Sequence, residues 1–138
     1  MADFKTSGEP LVLVVEDEAL IRICAADILE QHGYEVVEAA TAADALEMLE
    51  ARPDVRVLFT DINMPDGPDG IDGLGLARRA VEMRPDLRVI YTTGGALTDG
   101  MTALFVEGGT FLQKPYTRER LIEAVRGHGE TAEKPGDH

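Results

Sequence analysis

Residues 55–65 read Val55-Arg56-Val57-Leu58-Phe59-Thr60-Asp61-Ile62-Asn63-Met64-Pro65. The β-branched and aromatic run suits a buried strand. It ends on a carboxylate, Asp61, and passes into a stretch over 63–73 too dense in Gly, Pro and Asp for helix or strand. One strand-end acid is unremarkable in itself. Two further runs change its meaning. The apolar Leu11-Val12-Leu13-Val14-Val15 is followed by Glu16 and Asp17, and the run 110–113 by Lys114 and Pro115. In a parallel α/β sheet the C-terminal strand ends gather at one edge, where ligands bind. Three carboxylates and one ammonium would converge there, a group suited to a hard divalent cation and a phosphoryl group.

The rest of the chain supports a parallel sheet. Residues 11–15 form a continuous apolar run, as in a strand buried on both faces. Residues 19–32 place Ile21, Cys24 and Ile28 at helical spacing, with Gly33 ready to end the helix and Cys24 expected as a small core residue. A short strand is expected over 35–39, then a helix over 41–51 capped by Thr41 and stopped by Pro53. Leu74, Ala77 and Val81 mark a third helix, ending before Pro85. Residues 87–93 and 110–113 supply the remaining strands, and 117–126 a last helix with Leu121 facing Val125. The segment 94–109 has helical spacing at Leu97, Met101, Leu104 and Phe105, but its five glycines weaken a helix. Strict alternation of strand and helix predicts a parallel sheet with helices on both faces.

Length and charge narrow the classes. The 138 residues suit one domain over 10–127, with polar tails over 1–9 and 128–138 expected to be disordered. Cys24 has no partner for an internal disulfide, consistent with a reducing compartment. No stretch approaches a membrane span and no leader pattern opens the chain, so a soluble, cytoplasmic protein is expected. The net charge of −13, without a basic stripe, argues against direct nucleic-acid or membrane binding and for protein or small phosphorylated partners.

Val14-Val15-Glu16-Asp17, Asp61-Ile62-Asn63-Met64-Pro65, Asp72-Gly73-Leu74, Thr92-Thr93-Gly94 and Lys114-Pro115, in this order and spacing, resemble the receiver domain of two-component response regulators. The resemblance runs from about residue 11 to 126. It implies a doubly wound, flavodoxin-like (βα)5 three-layer sandwich with sheet order 2-1-3-4-5. It implies Asp61 as phosphoacceptor, taking the group from a sensor histidine kinase or a histidine phosphotransfer protein. It implies Mg²⁺ held by Asp17, Asp61 and the backbone carbonyl of Asn63, with Glu16 acting through water. Thr93 and Lys114 would contact the phosphoryl group, and Phe111 would stand at the switch aromatic position. The loop between Pro65 and Asp72 is about four residues longer than the commonest pattern, and Gly95 stands where many receivers carry a larger side chain.

Other readings attach to the same residues. Thr92 and Thr93 face opposite sides of a strand, so only one can reach the site. Gly94 leaves room beside Thr93. Glu16 and Asp17 also suit a helix N-terminus, and His32 a helix C-terminus. The Asp-Gly loop lacks the closing glutamate of a calcium loop. With nothing recognisable after Arg126, the chain reads as a stand-alone switch acting through a protein partner. A phosphorelay shuttle or sink is the alternative. A small Mg²⁺-dependent aspartyl phosphatase is less consistent, because the first strand ends Glu16-Asp17-Glu18 instead of Asp-x-Asp.

Overall fold

A computed structural model of the chain describes residues 10–64 and 70–127. The tails expected to be disordered, and residues 65–69 of the long loop, lie outside them. The strands are β1 (Leu11–Val15), β2 (Glu35–Ala39), β3 (Val55–Asp61), β4 (Arg88–Thr93) and β5 (Thr110–Gln113). They form one parallel sheet in the order β2-β1-β3-β4-β5, the order that the resemblance implies. The register pairs Val15 with Thr60 and Asp61 with Thr92, so the ends of β1, β3 and β4 finish side by side.

Helices α1 (Ala19–Gln31), α2 (Ala42–Ala51), α3 (Gly73–Met83), α4 (Asp99–Ala103) and α5 (Arg118–Arg126) follow the strands. Alternate residues of β1 feed two cores. Val12 and Val14 pack with Leu29 of α1 and Leu121 and Val125 of α5. Leu13 and Val15 pack with Ala45 and Leu49 of α2 and Leu76 and Ala80 of α3. This division produces the three layers.

Local chemistry sets the helix ends. Thr41, Asp72, Thr98 and Thr117 each accept a backbone N–H three residues on, satisfying an orphan donor of the first turn. The positive φ of Gly33, 93°, follows the end of α1, and that of Gly127, 90°, ends α5. Two arginines close helix C-termini from a distance. The Arg84 guanidinium donates to the carbonyls of Leu49, Arg52 and Val55, joining the end of α2 to the start of β3. The Arg88 guanidinium, at the start of β4, donates to the carbonyls of Ala124 and Val125 at the end of α5.

One expectation is overturned on α1. Cys24 is exposed rather than buried. The residues of that helix that enter the core are Ala25, Ala26 and Leu29, while Leu20 and Ile23 are 77% and 51% exposed. The helix is apolar nearly all round, so periodicity alone did not single out the buried stripe.

The helix of 94–109 shrinks to the five residues of α4, none of them buried. It is held instead by Phe105, stacked on Tyr91 at 4.0 Å between ring centroids, and by the Val106 N–H donating to the Tyr91 hydroxyl. With so little buried apolar surface, its amides should exchange with solvent far faster than those of Val12–Val15, which are almost fully enclosed. Hydrogen exchange by mass spectrometry checks this; equal protection in the two segments would contradict it.

Candidate functional site

The C-terminal sheet edge brings together most of the residues picked from the sequence. Glu16 and Asp61 are buried, 4% and 5% exposed, while Asp17 stands exposed beside them. Carboxylate oxygens of Glu16, Asp17 and Asp61 lie within 4.8 Å of one another. Lys114 reaches in from the loop after β5. Its Nζ stands 2.9 Å from Glu16 Oε1 and 3.1 Å from Asp61 Oδ2. The Lys114–Pro115 peptide bond is cis.

Several groups hold the acids in place. The Glu18 N–H donates to Glu16 Oε2 and the Asn63 N–H to Asp61 Oδ1. Arg22 of α1 donates to the Glu16 backbone carbonyl and pairs with Glu38. Burial pushes the Glu16 carboxyl above its usual range, although the bonds from Lys114 and the Glu18 amide pull it down; the charge of Asp61 adds to the rise. Ionised Glu16 therefore costs folding stability at neutral pH, a cost that a cation among the carboxylates would relieve. Burial pulls the Lys114 ammonium down, but its bonds to Glu16 and Asp61 outweigh that and leave it raised. A cluster of hard carboxylate oxygens fits Mg²⁺ chemistry.

The two threonines part company. The Thr92 hydroxyl is committed to the Leu112 carbonyl at 2.6 Å. Thr93 is fully buried, and its Oγ1 accepts from the Asn63 side chain and from the Gly95 N–H, which links the end of β4 to the loop after β3. Gln113 donates to the Thr93 carbonyl at 2.9 Å and, at 3.2 Å, to that of Lys114, tying the ends of β4 and β5. Phe111 is half-buried and packs toward Phe105. Sequence reasoning missed Arg22, Gln113 and the bond from the Asn63 side chain to Thr93. Each acts through a contact whose partner the local pattern does not reveal.

Tyr116 follows Pro115 and packs edge-on against Phe59. Burial pushes its phenol up to about 12. The folded state thus holds this proton longer than the unfolded chain, whose tyrosines titrate near 10. The resulting stability, up to about 2.7 kcal/mol, is fully present below pH 10 and lost as pH rises toward 12. The chain has three tyrosines and no tryptophan, so tyrosinate absorbance reads them cleanly. Tyr116→Phe should remove about a third of that amplitude, taken from the high-pH limb. Loss from a limb near pH 10 would contradict the assignment.

A doubly wound sheet with an acidic cluster and a lysine at its C-terminal edge defines a flavodoxin-like α/β domain built around one charged site. The chain belongs to the response regulator receiver domain family, whose model matches residues 12–126. Chemotaxis protein CheY1 of Helicobacter pylori is 34% identical over 121 residues, spanning 83% of this chain and 92% of that protein. CpdR, a response regulator receiver protein of Brucella abortus, is 40% identical over 85 residues, 62% of this chain and 67% of that protein. A receiver protein structure from Sinorhizobium medicae superimposes with a TM-score of 0.78 at 28% identity, covering 91% of this chain and 98% of that one. Other relatives are much longer: the chain spans 25% of the transcriptional regulatory protein DctD of Rhizobium meliloti and 12% of the sensor kinase CckA of Brucella abortus. Family membership makes this a phosphoacceptor signalling domain of two-component systems. Among the described residues, no helix is long and apolar enough to cross a membrane.

Proposed function

We propose that Asp61 accepts a phosphoryl group from a phosphohistidine donor, a sensor histidine kinase or a histidine phosphotransfer protein, and that the phosphorylated domain signals to a protein partner in the cytoplasm. The observation that carries this reading is the shared lysine, with Nζ within 3.1 Å of both Glu16 and Asp61 in a cluster of three acids. A P–O bond forms to the Asp61 carboxylate as the donor's P–N bond breaks, and the electron pair returns to the imidazole nitrogen. Phosphoryl transfer asks little covalent work of a protein beyond the nucleophile; the rest is positioning and charge neutralisation. Asp17, Asp61 and the Asn63 carbonyl would hold Mg²⁺, with Glu16 beside them. Mg²⁺ bound there would offset the repulsion among the carboxylates and polarise the phosphoryl oxygens. Lys114 pairs with the incoming charge, and Thr93 donates to a phosphoryl oxygen. Movement at Thr93 and Lys114 would be felt first by the elements bearing them and by Phe111, the basis for a switch read by differential affinity.

The exposed face of α1 supports a protein donor. A cleft of about 350 Å³ lined by Leu20, Ile21, Ile28, Pro115 and Tyr116 also touches Lys114, so a helix packed on α1 could present its histidine beside Asp61. A phosphorelay shuttle uses the same site without an output switch.

The test is direct. Incubation with Mg²⁺ and acetyl phosphate should add one phosphoryl mass to the intact protein, and no added mass would refute the reading. Mg²⁺ at ten times its dissociation constant should also stabilise the fold by about 1.4 kcal/mol. Asp17→Ala should abolish that thermal shift; a full shift in the variant would place the metal elsewhere.

A further inference from the structure

We propose that the Asn63 side chain is a positioning residue for Thr93, holding its hydroxyl as a dedicated hydrogen-bond donor before any phosphoryl group arrives. The inference rests on the reading of Thr93 as a phosphoryl contact and deepens it. A threonine hydroxyl has one proton to give and two lone pairs to receive with. In this structure both lone pairs face donors: the Asn63 side-chain amide, thirty residues away along the chain, and the Gly95 N–H at 3.2 Å. What remains is the proton. Thr93 is fully buried, so water does not compete for it. The hydroxyl therefore has one role left, donation, and a phosphoryl oxygen bound on Asp61 is the acceptor that this role suits.

The surroundings keep the arrangement in place. The Asn63 N–H is bonded to Asp61 Oδ1, so the backbone of the acceptor and the side chain that aligns Thr93 belong to one short segment. The Thr93 carbonyl receives Lys114 N–H and the Gln113 amide, which fixes the strand end from the other side. Gly95 lies against the pair: a Cβ there would sit 3.8 Å from Thr93 Oγ1 and 3.9 Å from Asn63 Nδ2, in ordinary contact with both. Asn63 thus ties the loop after β3 to the end of β4.

A double-mutant cycle tests this, read by the affinity of beryllofluoride, a phosphoryl mimic, at saturating Mg²⁺. Asn63→Ala should weaken binding about fivefold, by loosening the hydroxyl that its amide holds, and Thr93→Ala at least about tenfold, by losing one hydrogen bond to a charged group. The double variant should be no weaker than Thr93→Ala, because the effect of Asn63 passes through the hydroxyl. Without metal or ligand, Asn63→Ala should shift the Thr93 and Gly95 amide resonances and leave the melting temperature within about 1–2 °C, since Asn63 is exposed. Fully additive losses would overturn the proposal while leaving Thr93 as a phosphoryl contact. An unchanged affinity in Asn63→Ala would do the same. If Thr93→Ala itself binds normally, the reading of Thr93 fails, and this inference with it.

Discussion

Asp61→Asn should reduce labelling by any phosphohistidine donor or by acetyl phosphate to background while the protein stays folded. The amide matches the carboxylate in size and can keep the Asn63 N–H bond through its carbonyl oxygen. It cannot form an acyl phosphate. Two stability effects oppose one another. The variant loses the 3.1 Å ion pair with Lys114, and it removes one negative charge from the crowd of Glu16, Asp17 and Asp61. Lys114 keeps its 2.9 Å bond to Glu16, so the ammonium is not stranded. The net stability change should therefore be small, within about 1 kcal/mol, set against complete loss of phosphorylation. Intact-mass measurement and a urea titration on the same sample check both halves. Retained labelling of the variant would move the acceptor to another carboxylate; unfolding would show that the charge balance was misjudged.

Gly73→Ala should be the most destabilising of the glycine-to-alanine changes among the described residues. A Cβ built on Gly73 falls 2.0 Å from the backbone carbonyl oxygen of Asp61 and 2.8 Å from Ile62 Cα. Both neighbours are backbone at the end of β3, and Gly73 N–H donates to the Ile62 carbonyl from the same position. Neither side can yield without moving α3 off the sheet or moving the acceptor. Overpacking of this kind costs about 1–3 kcal/mol and here should reach at least the top of that range. That corresponds to a fall in melting temperature of roughly 10 °C for a domain of this size. The comparison variant is Gly100→Ala in α4, whose Cβ meets nothing closer than 3.9 Å and whose backbone is not left-handed. It should gain about 0.4–1 kcal/mol. A Gly73→Ala protein as stable as the parent would mean that α3 does not sit on the end of β3 as described.

Local runs carried the strand–helix alternation and the converging acids, whereas the sheet order came only with the family resemblance. Each strand is a short apolar block, and each site residue stands within two residues of the end of one. Asp61 and Lys114 could be placed by counting. Face and partner were harder. Ala25 and Ala26 bury the inner side of α1, but alanine gives a weak hydropathy signal beside Leu20, Ile23 and Cys24, so the core side was misread. The Thr92–Thr93 choice depends on which way β4 faces, and the hydroxyl of Thr92 is resolved only by the Leu112 carbonyl of the next strand. Arg84 and Arg88 carried no sequence cue, because the carbonyls that they reach lie 29 to 37 residues away. Arg22 and Asn63 are the same case at the site: residue types common on surfaces, given work by neighbours distant in sequence. The shortness of α4 was legible, since its glycines stood in plain view.

The Arg88 contact turns α5 into a hinged lever. The guanidinium clasps the Ala124 and Val125 carbonyls in the last turn of the helix from the foot of β4, and Gly127 packs against it, with an added Cβ only 3.4 Å from Nη2. The far end of α5 is pinned to the sheet. The near end hangs from Lys114-Pro115-Tyr116, the segment that carries the lysine of the site. A displacement begun at the lysine would reach α5 first at Arg118, whose guanidinium donates to Gln31 of α1, and would be smallest near Gly127. A partner that reads this domain through α5 does so from the first turn of that helix.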